Sequence, residues 1–322
     1  MRRNSPTQWR GGYGQKIPGP HSTGGLAGAA VLPCATFPSR PVVLQSPYLL
    51  RIGCLLALSL AAGPVRAQVL RRPVPDKLVV LTFDDAALSH ATYVAPLLRK
   101  YGFGATFFVC EFREPAFADK TKYMSWAQIK DLQRQGFEVG SHTLTHKHVN
   151  RMSAAQIGAE LDSLEARCRT YRLPRPTTFA YPGYDAGPMS TAVLTARHYD
   201  FARAGGARAY DPLTDHPLLI PSFSTSGPDS AKVFSALRQA HGGRIVVLTV
   251  HGVPDLAHDW VTTPPALFEQ YLRFLHDHHY RVIALRDLSR YVDPAAASRS
   301  IVPSYAHLKE PAGFSPPPTT RP

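Results

Sequence analysis

The segment from residue 78 to residue 85 reads Leu-Val-Val-Leu-Thr-Phe-Asp-Asp, an apolar run that ends in two adjacent carboxylates. Its hydrophobicity is continuous rather than alternating, which is typical of a strand covered on both faces of a parallel sheet. Six similar apolar runs follow along the chain, and residues 218–220 form a weaker eighth candidate. The predicted strands are Leu78–Phe83, Ala105–Val109, Phe137–Gly140, Thr177–Tyr181, Phe201–Ala204, Ile245–Val250 and Arg281–Leu285.

Segments with helical periodicity separate these strands. Ser125 and Ser153 each stand three residues before a Gln, which is the capping-box pattern that begins a helix. An apolar stripe at helical spacing then includes Cys168, and Cys110 ends a predicted strand, so we expect both cysteines in the core. Alternation of strands and helices predicts an α/β fold, either a barrel or a doubly wound sheet.

The charge of the chain is unevenly distributed. The 322 residues carry a net charge of +13 with a pI near 9.8, yet residues 1–72 hold nine basic residues and no acid. The other 250 residues carry only +4, so we expect no nucleic-acid partner. A hydrophobic fraction of 44% and four cysteines also exclude a disordered chain and a disulfide mini-protein.

An apolar run of twelve residues, Ile52–Gly63, follows Arg51 and precedes small residues that suit cleavage after Ala67. This pattern is typical of a secretory signal peptide, and a helix of about 18 Å is too short for a hydrocarbon core of about 30 Å. We therefore expect export to the periplasm or the exterior and no permanent membrane span. The predicted regions are an extension at 1–50 that is disordered or precedes the true start, a signal peptide at 51–67, a folded domain at 73–293 and a disordered proline-rich tail at 294–322.

Polar residues are concentrated after three of the predicted strands. Two Asp follow the first, the hexapeptide 141–146 (Ser-His-Thr-Leu-Thr-His) follows the third, and His251 follows the strand that ends at Val250. Taken alone, the Asp pair is typical of a turn and a helix cap. Taken alone, each His is typical of a half-buried or surface histidine without a catalytic role. Because carboxyl ends of parallel strands face the ligand, these groups can converge. Two His and one Asp suit a Zn²⁺-like ion, with a second Asp as base and His251 as acid.

Four ordered motifs resemble those of the polysaccharide deacetylases, the NodB-homology domain of carbohydrate esterase family 4. They are Thr-Phe-Asp-Asp at 82–85, the hexapeptide at 141–146, Phe-Ala-Tyr-Pro-Gly at 179–183 and Leu-Thr-Val-His at 248–251. The resemblance covers about Lys77 to Val292. It implies a distorted (β/α)7 barrel and metal-dependent removal of acetyl groups from sugars.

The resemblance also implies a role for each matched residue. Zn²⁺ is the expected cofactor, with Co²⁺, Ni²⁺ or Mn²⁺ as alternatives, and the expected partner is an acetylated glycan of the cell envelope or matrix, N-acetylated rather than O-acetylated. The sequence sets no oligomeric state. The implied roles are base for Asp84, metal ligands for Asp85, His142 and His146, acid for His251, oxyanion donor for the backbone amide of Tyr181, and loop anchor for Pro182.

The chain departs from the family pattern at several positions. Ala86 follows Asp85 where the family usually has Gly, and Ala180 occupies the place of an Arg that orients the base. For the Asp of the fourth motif the sequence offers Asp211 or Asp215, each equally explained as part of a turn. Trp260 suits either a sugar site or packing.

Two other functions fit the same motifs. The barrel supports hydrolysis of a non-sugar amide or a cyclic ureide in relatives, and fold alone does not decide between substrates. The missing Arg motivates a third hypothesis, a non-catalytic glycan-binding domain.

Overall fold

The structure is a computed structural model that describes residues 68–113, 115–306 and 308. The predicted extension at 1–50 and signal peptide at 51–67 lie outside the described residues. Strands and helices alternate along the described chain. The strands are β1 Leu78–Phe83, β2 Thr106–Val109, β3 Glu138–Ser141, β4 Thr178–Ala180, β5 Phe201–Arg203, β6 Phe223–Ser224, β7 Val246–Val250 and β8 Arg281–Ile283.

Helices cover the sheet between these strands. A π-helical segment, His90–Val94, leads into the first α-helix, and short 3-10 turns lie at Ala116–Ala118, Val149–Arg151, Pro182–Tyr184, Asp259–Val261 and Leu285–Arg290. The α-helices are α1 Ala95–Tyr101, α2 Trp126–Arg134, α3 Ala154–Thr170, α4 Pro188–Ala196, α5 Ser230–Leu237, α6 Pro265–Asp277 and α7 Pro294–Ser300.

The sheet is parallel throughout, in the order β5-β4-β3-β2-β1-β7-β6. β8 pairs with the first half of β1, from Leu78 to Val80, while β2 pairs with its second half at Thr82 and Phe83. Within the described residues, the end strands β5 and β6 do not pair with each other, and an isolated bridge joins Arg203 of β5 to Ile220, three residues before β6. The predicted distorted (β/α)7 barrel is confirmed, and its distortion lies at this junction and at the inserted β8.

The two faces of β1 belong to different parts of the core. Val79, Leu81 and Phe83 pack with the helices, in one cluster with Leu98 of α1 and residues of α2 and α6. Leu78 and Val80 belong to a second cluster with residues of β5, β7 and β8, on the inner face of the barrel. Burial on both faces explains why the sequence of this strand shows no alternation.

Both capping boxes predicted from sequence are present. Ser125 caps α2 and Ser153 caps α3, each accepting from the amide of the Gln three residues later while that Gln accepts from the Ser amide. Cys110 and Cys168 are buried and free, as expected. Their reactivity is suppressed because burial raises the pKa of both thiols.

Two predicted boundaries are wrong. Residues 218–220 form no strand, because Ile220 makes only an isolated bridge to Arg203. The strand of this region is β6, which begins three residues later at Phe223. Residues 294–300 are not disordered but form α7, in which the proline stands at the first helical position and Asp293 caps the helix by accepting from Ala296 N at 2.9 Å. Residues 309–322 of the predicted tail lie outside the described residues.

Among the described residues, every helix is too short or too polar to span a bilayer.

Candidate metal centre and active site

Three strand ends place polar side chains at one edge of the barrel. Asp84 and Asp85 follow β1, His142 follows β3, and His251 follows β7. β1 and β7 are direct neighbours, and the Asp84 amide continues their pairing by donating to the carbonyl of Val250 at 2.9 Å. The two carboxylates and His251 therefore lie side by side although more than 160 residues separate them.

Asp85, His142 and His146 form a compact set of metal-ligand atoms, all within 4.8 Å of one another. Asp85 Oδ1 lies 3.2 Å from His146 Nε2 and 3.5 Å from His142 Nε2. His142 donates from Nδ1 to the carbonyl of Ala180 at 2.8 Å, which leaves Nε2 without a proton on the side of the carboxylate. This donor set and this tautomer fit a divalent cation that prefers nitrogen and oxygen ligands.

The protonation states of Asp85 and His142 also suit a cation, whereas at His146 burial is outweighed by the hydrogen bond and charge of Asp85, which raise its pKa. Burial opposes ionisation of Asp85, but the hydrogen bond from His146 and the charges of His146, His251 and His142 outweigh it, so the Asp85 pKa is well below its usual range. Burial lowers the pKa of His142 to about 4. At neutral pH the carboxylate is therefore ionised and His142 is neutral, as metal ligation requires.

The loop that carries His146 is held by Glu160 of α3. Glu160 accepts from the Thr145 amide at 2.8 Å and from Lys147 Nζ at 2.8 Å. Its carboxylate therefore fixes the backbone at Thr145 and pairs with the side chain of Lys147, the two neighbours of His146 in sequence.

Four residues of these motifs have left-handed backbone angles although none is glycine. Their φ values are 73° for Asp85, 52° for Ala86, 59° for Thr143 and 53° for His146. Such conformations cost about 1–3 kcal/mol each and persist where the surroundings enforce them. Glycine adopts a positive φ without this cost, so the backbone at Ala86 is of the kind that favours glycine.

Asp84 is paired with a buried arginine that the sequence reading missed. Arg203 Nη2 donates to Asp84 Oδ2 at 2.5 Å, and the Arg203 side chain has no exposed surface. Nη1 of the same guanidinium donates to Thr249 Oγ1 of β7 at 2.9 Å. The other carboxylate oxygen, Asp84 Oδ1, is buried with no hydrogen-bond partner among the described residues. The ion pair therefore orients Asp84 and leaves one oxygen for chemistry.

His251 faces the other side of Asp85, with its Nε2 4.0 Å from Asp85 Oδ2. Its backbone is fixed by the π-helical segment: His90 Nε2 donates to the His251 carbonyl at 2.9 Å, and Ser89 Oγ accepts from the Val253 amide at 2.8 Å. π-helical turns are frequent at functional sites. His90 was also missed, because a single His in a helical stretch gives no sign that it reaches a strand end.

Comparison with known proteins covers the first three of the four motifs, and the motif at 248–251 lies outside the matched residues. Residues 71–201 match the sequence profile described as polysaccharide deacetylase. The chain therefore contains a polysaccharide deacetylase domain. A chitin deacetylase of Pestalotiopsis sp is 24% identical over 167 residues, which cover 47% of this chain and 52% of that protein. The chain spans about half or less of the length of the curated relatives it matches.

Solved structures of similar proteins include a chitin deacetylase from the fungal pathogen Colletotrichum lindemuthianum. It has a TM-score of 0.48 and 18% identity, and the match covers 70% of this chain and 94% of that one. A pseudoenzyme of carbohydrate esterase family 4 from Bacillus anthracis has a TM-score of 0.46 and 16% identity, covering 67% of this chain and 66% of that one.

Ala180 stands where the resemblance to polysaccharide deacetylases led us to expect an Arg that orients the base. The structure supplies a guanidinium to Asp84 from a different strand, because Arg203 ends β5, the neighbour of the strand that carries Ala180. The one sequence signal was a charged residue inside the apolar segment Phe201–Ala204. Arg203 therefore supplies to Asp84 a guanidinium of the kind whose absence at Ala180 motivated the hypothesis of a non-catalytic relative.

The predicted oxyanion role of the Tyr181 amide is wrong. That amide donates to the Arg203 carbonyl at 3.0 Å, continuing the pairing of β4 with β5, so it is not available to a substrate. The Tyr181 side chain is buried, and its hydroxyl donates to the Leu218 carbonyl at 3.0 Å. Pro182 begins the 3-10 turn Pro182–Tyr184, consistent with a residue that shapes the loop.

Neither proposed residue of the fourth motif serves His251. Asp215 forms a two-bond pair with Arg208, at 2.6 and 2.7 Å, and accepts from the Asp211 amide. Asp211 accepts from the Leu213 amide at 3.0 Å, so both carboxylates shape a turn. His251 Nδ1 is buried and has no hydrogen-bond partner in the part of the chain that the structure describes.

Proposed function

We propose that this protein is a metal-dependent deacetylase of a polymeric carbohydrate, acting on N-acetyl groups of an envelope or matrix glycan. The observation that carries the proposal is the cluster of Asp85, His142 and His146 beside an arginine-paired Asp84. Two further features support an enzyme: the backbone is strained at Asp85 and His146, and Asp84 Oδ1 is buried without a partner in the described part of the chain.

The cation site would consist of Asp85, His142 and His146, and Zn²⁺ is the ion that we propose for it. When bound there, a divalent cation supplies Lewis acidity toward an acetyl carbonyl and toward water. Asp84 is the group that accepts the proton of the attacking water, through the oxygen that Arg203 leaves unoccupied. Arg203 orients Asp84 for that task through its hydrogen bond to Oδ2.

His251 would donate a proton to the leaving nitrogen. An amine leaves poorly as an anion, so hydrolysis of an amide needs an acid that protonates the nitrogen. Hydrolysis of an acetate ester depends less on such an acid, because an alkoxide is a better leaving group. His251 is partly exposed, with 16% of its side chain accessible, and lies across Asp85 from the other two histidines. This placement supports the choice of N-acetyl over O-acetyl substrates.

We also propose that the protein is exported through the segment 51–67. N-terminal sequencing of the protein recovered outside the cytoplasm tests this, and a mature chain that retains residues before Ala67 would contradict it.

The function is tested with the purified full chain, by measuring bound metal and acetate release from chitooligosaccharides, peptidoglycan and acetylated xylan. We expect release from an N-acetylated polymer that chelation abolishes and added Zn²⁺ restores. Asp85→Ala is expected to lose both metal and turnover. Hydrolysis that survives both Asp85→Ala and chelation would contradict the metal-dependent mechanism, and turnover of a cyclic ureide alone would contradict the glycan substrate.

A further inference from the structure

The guanidinium of Arg203 is oriented by two acceptors of different kinds. Nη2 donates to the carboxylate of Asp84, and Nη1 donates to the hydroxyl of Thr249 at 2.9 Å. The rings of Phe108 and Tyr184 lie beside the group, with centroids 5.7 and 5.3 Å from its central carbon. Because two hydrogen bonds in different directions fix a planar group, the Thr249 hydroxyl contributes to the position of the whole guanidinium.

The hydroxyl of Thr249 is hydrogen-bonded in turn to Ser222. The two side-chain oxygens are 2.8 Å apart, and Ser222 Oγ donates to the carbonyl of Ala204 at 2.6 Å. A hydroxyl has one hydrogen, so Ser222 spends its own on that carbonyl and Thr249 is the donor between the two. Thr249 Oγ1 then accepts from Arg203, which can only donate. The hydrogen bonds therefore run in one direction, from Arg203 through Thr249 and Ser222 to the Ala204 carbonyl.

The backbone fixes both hydroxyls in place. Thr249 lies in β7 and pairs with Ser224 of β6. Ser222 lies just before β6, and its carbonyl accepts from the Ala207 amide at 3.1 Å, which ties it to the segment after β5. The side chains of Thr249 and Ser222 are buried. The chain of hydrogen bonds therefore crosses the junction where β5 and β6 do not pair.

We propose that Thr249 and Ser222 are positioning residues that hold the guanidinium of Arg203 and, through it, the carboxylate of Asp84. The inference rests on the proposed function, in which Asp84 is the base. A buried network in which each hydroxyl is satisfied holds its members rigidly. The Arg203 Nε is buried and forms no hydrogen bond within the described residues, so it does not replace the bond to Thr249.

Loss of the Thr249 hydroxyl would leave Nη1 without this acceptor and allow the guanidinium to shift. Asp84 would shift with it, because Oδ2 is bonded to Nη2 of the same group. A displacement of about 1 Å in a catalytic group can cost about 10²-fold in rate. The loss should appear in kcat and not in KM, since Asp84 acts on the proton of the attacking water and not in binding the glycan.

The test measures kcat and KM for acetate release by the full chain, together with bound metal and Tm. Thr249→Val replaces the hydroxyl by a methyl of similar size, and we expect kcat to fall by about 10- to 100-fold with KM and metal content unchanged. Thr249→Ser keeps the hydroxyl and is expected to recover most of the rate. Ser222→Ala removes the next member of the chain and should lower kcat by a smaller factor.

The matched control is a buried threonine on the neighbouring segment. Thr225 is bonded through its hydroxyl to that of Thr263 at 2.7 Å, and it also reaches the Thr249 carbonyl but not the Thr249 hydroxyl. Thr225→Val therefore removes a buried hydroxyl and leaves the bonds to Arg203 intact. We expect kcat like that of the wild type, even where Tm falls as far as in Thr249→Val.

The outcomes separate this inference from the proposed function. Wild-type protein that releases no acetate from any of the polymers would overturn both. Wild-type kcat in Thr249→Val, or a higher KM alone, would overturn only the positioning role. Equal losses of kcat in Thr249→Val and Thr249→Ser, or a comparable loss in Thr225→Val, would also overturn it, because the effect would then be structural.

Discussion

Two buried carboxylates lie at opposite ends of the same barrel, and their surroundings differ. Glu138 begins β3 at the amino end, and both its oxygens are satisfied: it accepts from Thr106 Oγ1 at 2.6 Å, Thr178 Oγ1 at 2.7 Å and the Arg286 amide at 2.9 Å. Asp84 follows β1 at the carboxyl end, where one oxygen accepts from Arg203 and the other has no hydrogen-bond partner in the described residues.

The difference separates a structural carboxylate from a reactive one. Glu138 ties three neighbouring segments together with uncharged donors, and its pKa is raised because burial outweighs those hydrogen bonds. Asp84 has a permanent cation beside it and keeps one oxygen for a proton. The complete hydrogen bonding of Glu138 therefore fits a structural role. The incomplete hydrogen bonding of Asp84, beside a guanidinium, fits a role in chemistry.

The largest effect is expected at the reactive carboxylate. Asp84→Asn removes the proton acceptor while keeping the shape of the side chain, so we expect kcat to fall by about 10²- to 10⁴-fold with metal content unchanged. Acetate release and metal stoichiometry, measured on the same preparation, check this. An unchanged rate would show that Asp84 is not the base.

Breaking the ion pair from the other side should cost stability as well as activity. Arg203→Met leaves Asp84 as a buried charge without a partner, and removing one member of a buried pair costs about 3–5 kcal/mol of unfolding free energy. Urea denaturation of Arg203→Met, Asp84→Asn and the double variant measures the coupling. Because the double variant has no unpaired charge, it should be more stable than Arg203→Met alone; strict additivity would mean that the pair does not couple.

At the amino end, the structural carboxylate should control a pH dependence of stability. The folded-state pKa of Glu138 is raised above its ordinary value of 4.5, so between those two values the native state binds more protons than the unfolded state. Its contribution to stability therefore decreases as pH rises through that window, by up to about 1.4 kcal/mol per pH unit.

Glu138→Gln removes this titration. The stability of the wild type relative to the variant, from urea denaturation, should fall as pH rises above 4.5, while acetate release per metal-loaded protein stays unchanged. A stability difference independent of pH would contradict the raised pKa of Glu138. Loss of turnover in Glu138→Gln would show that Glu138 contributes to catalysis and is not only structural.

The smallest effect concerns the strained backbone of the reactive end. Ala86→Gly relieves a left-handed conformation that costs alanine about 1–2 kcal/mol, but glycine loses about 0.5–1 kcal/mol in chain entropy, and a buried methyl worth about 0.8 kcal/mol is lost. The free energy of unfolding should therefore change by less than about 1 kcal/mol. A larger loss on chemical denaturation would show that packing of the methyl outweighs the backbone strain.

Local patterns were sufficient for most of the fold. The bounds of β1 were predicted as observed, and both capping boxes begin helices where their Ser and Gln residues indicated. These features depend on neighbours in sequence, so they can be recognised there. The predictions of a strand at 218–220 and of a disordered tail from residue 294 were wrong. A two-residue strand and a short helix that begins with a proline carry too little local signal to be recognised.

The site was only partly accessible to the same reasoning. Motif spacing brought Asp84, Asp85, His142 and His251 to the ends of parallel strands, since that edge is common to every such strand. Arg203 and His90 were missed, because each acts through a hydrogen bond to a residue far away in sequence, 119 positions for Arg203 and 161 for His90. The Tyr181 amide was misassigned because its strand pairing with β5 was not visible in sequence.

What the amino-acid sequence determined by itself was the order of strands and helices, the family and the residue types at the strand ends, since hydrophobic periodicity, caps and motifs are local. The tertiary structure alone decided which charge faces Asp84, which imidazole faces each oxygen of Asp85, and which backbone amide is already engaged. Those properties depend on distances between strands and on burial. Such distances are set by packing of the whole barrel and not by any short segment.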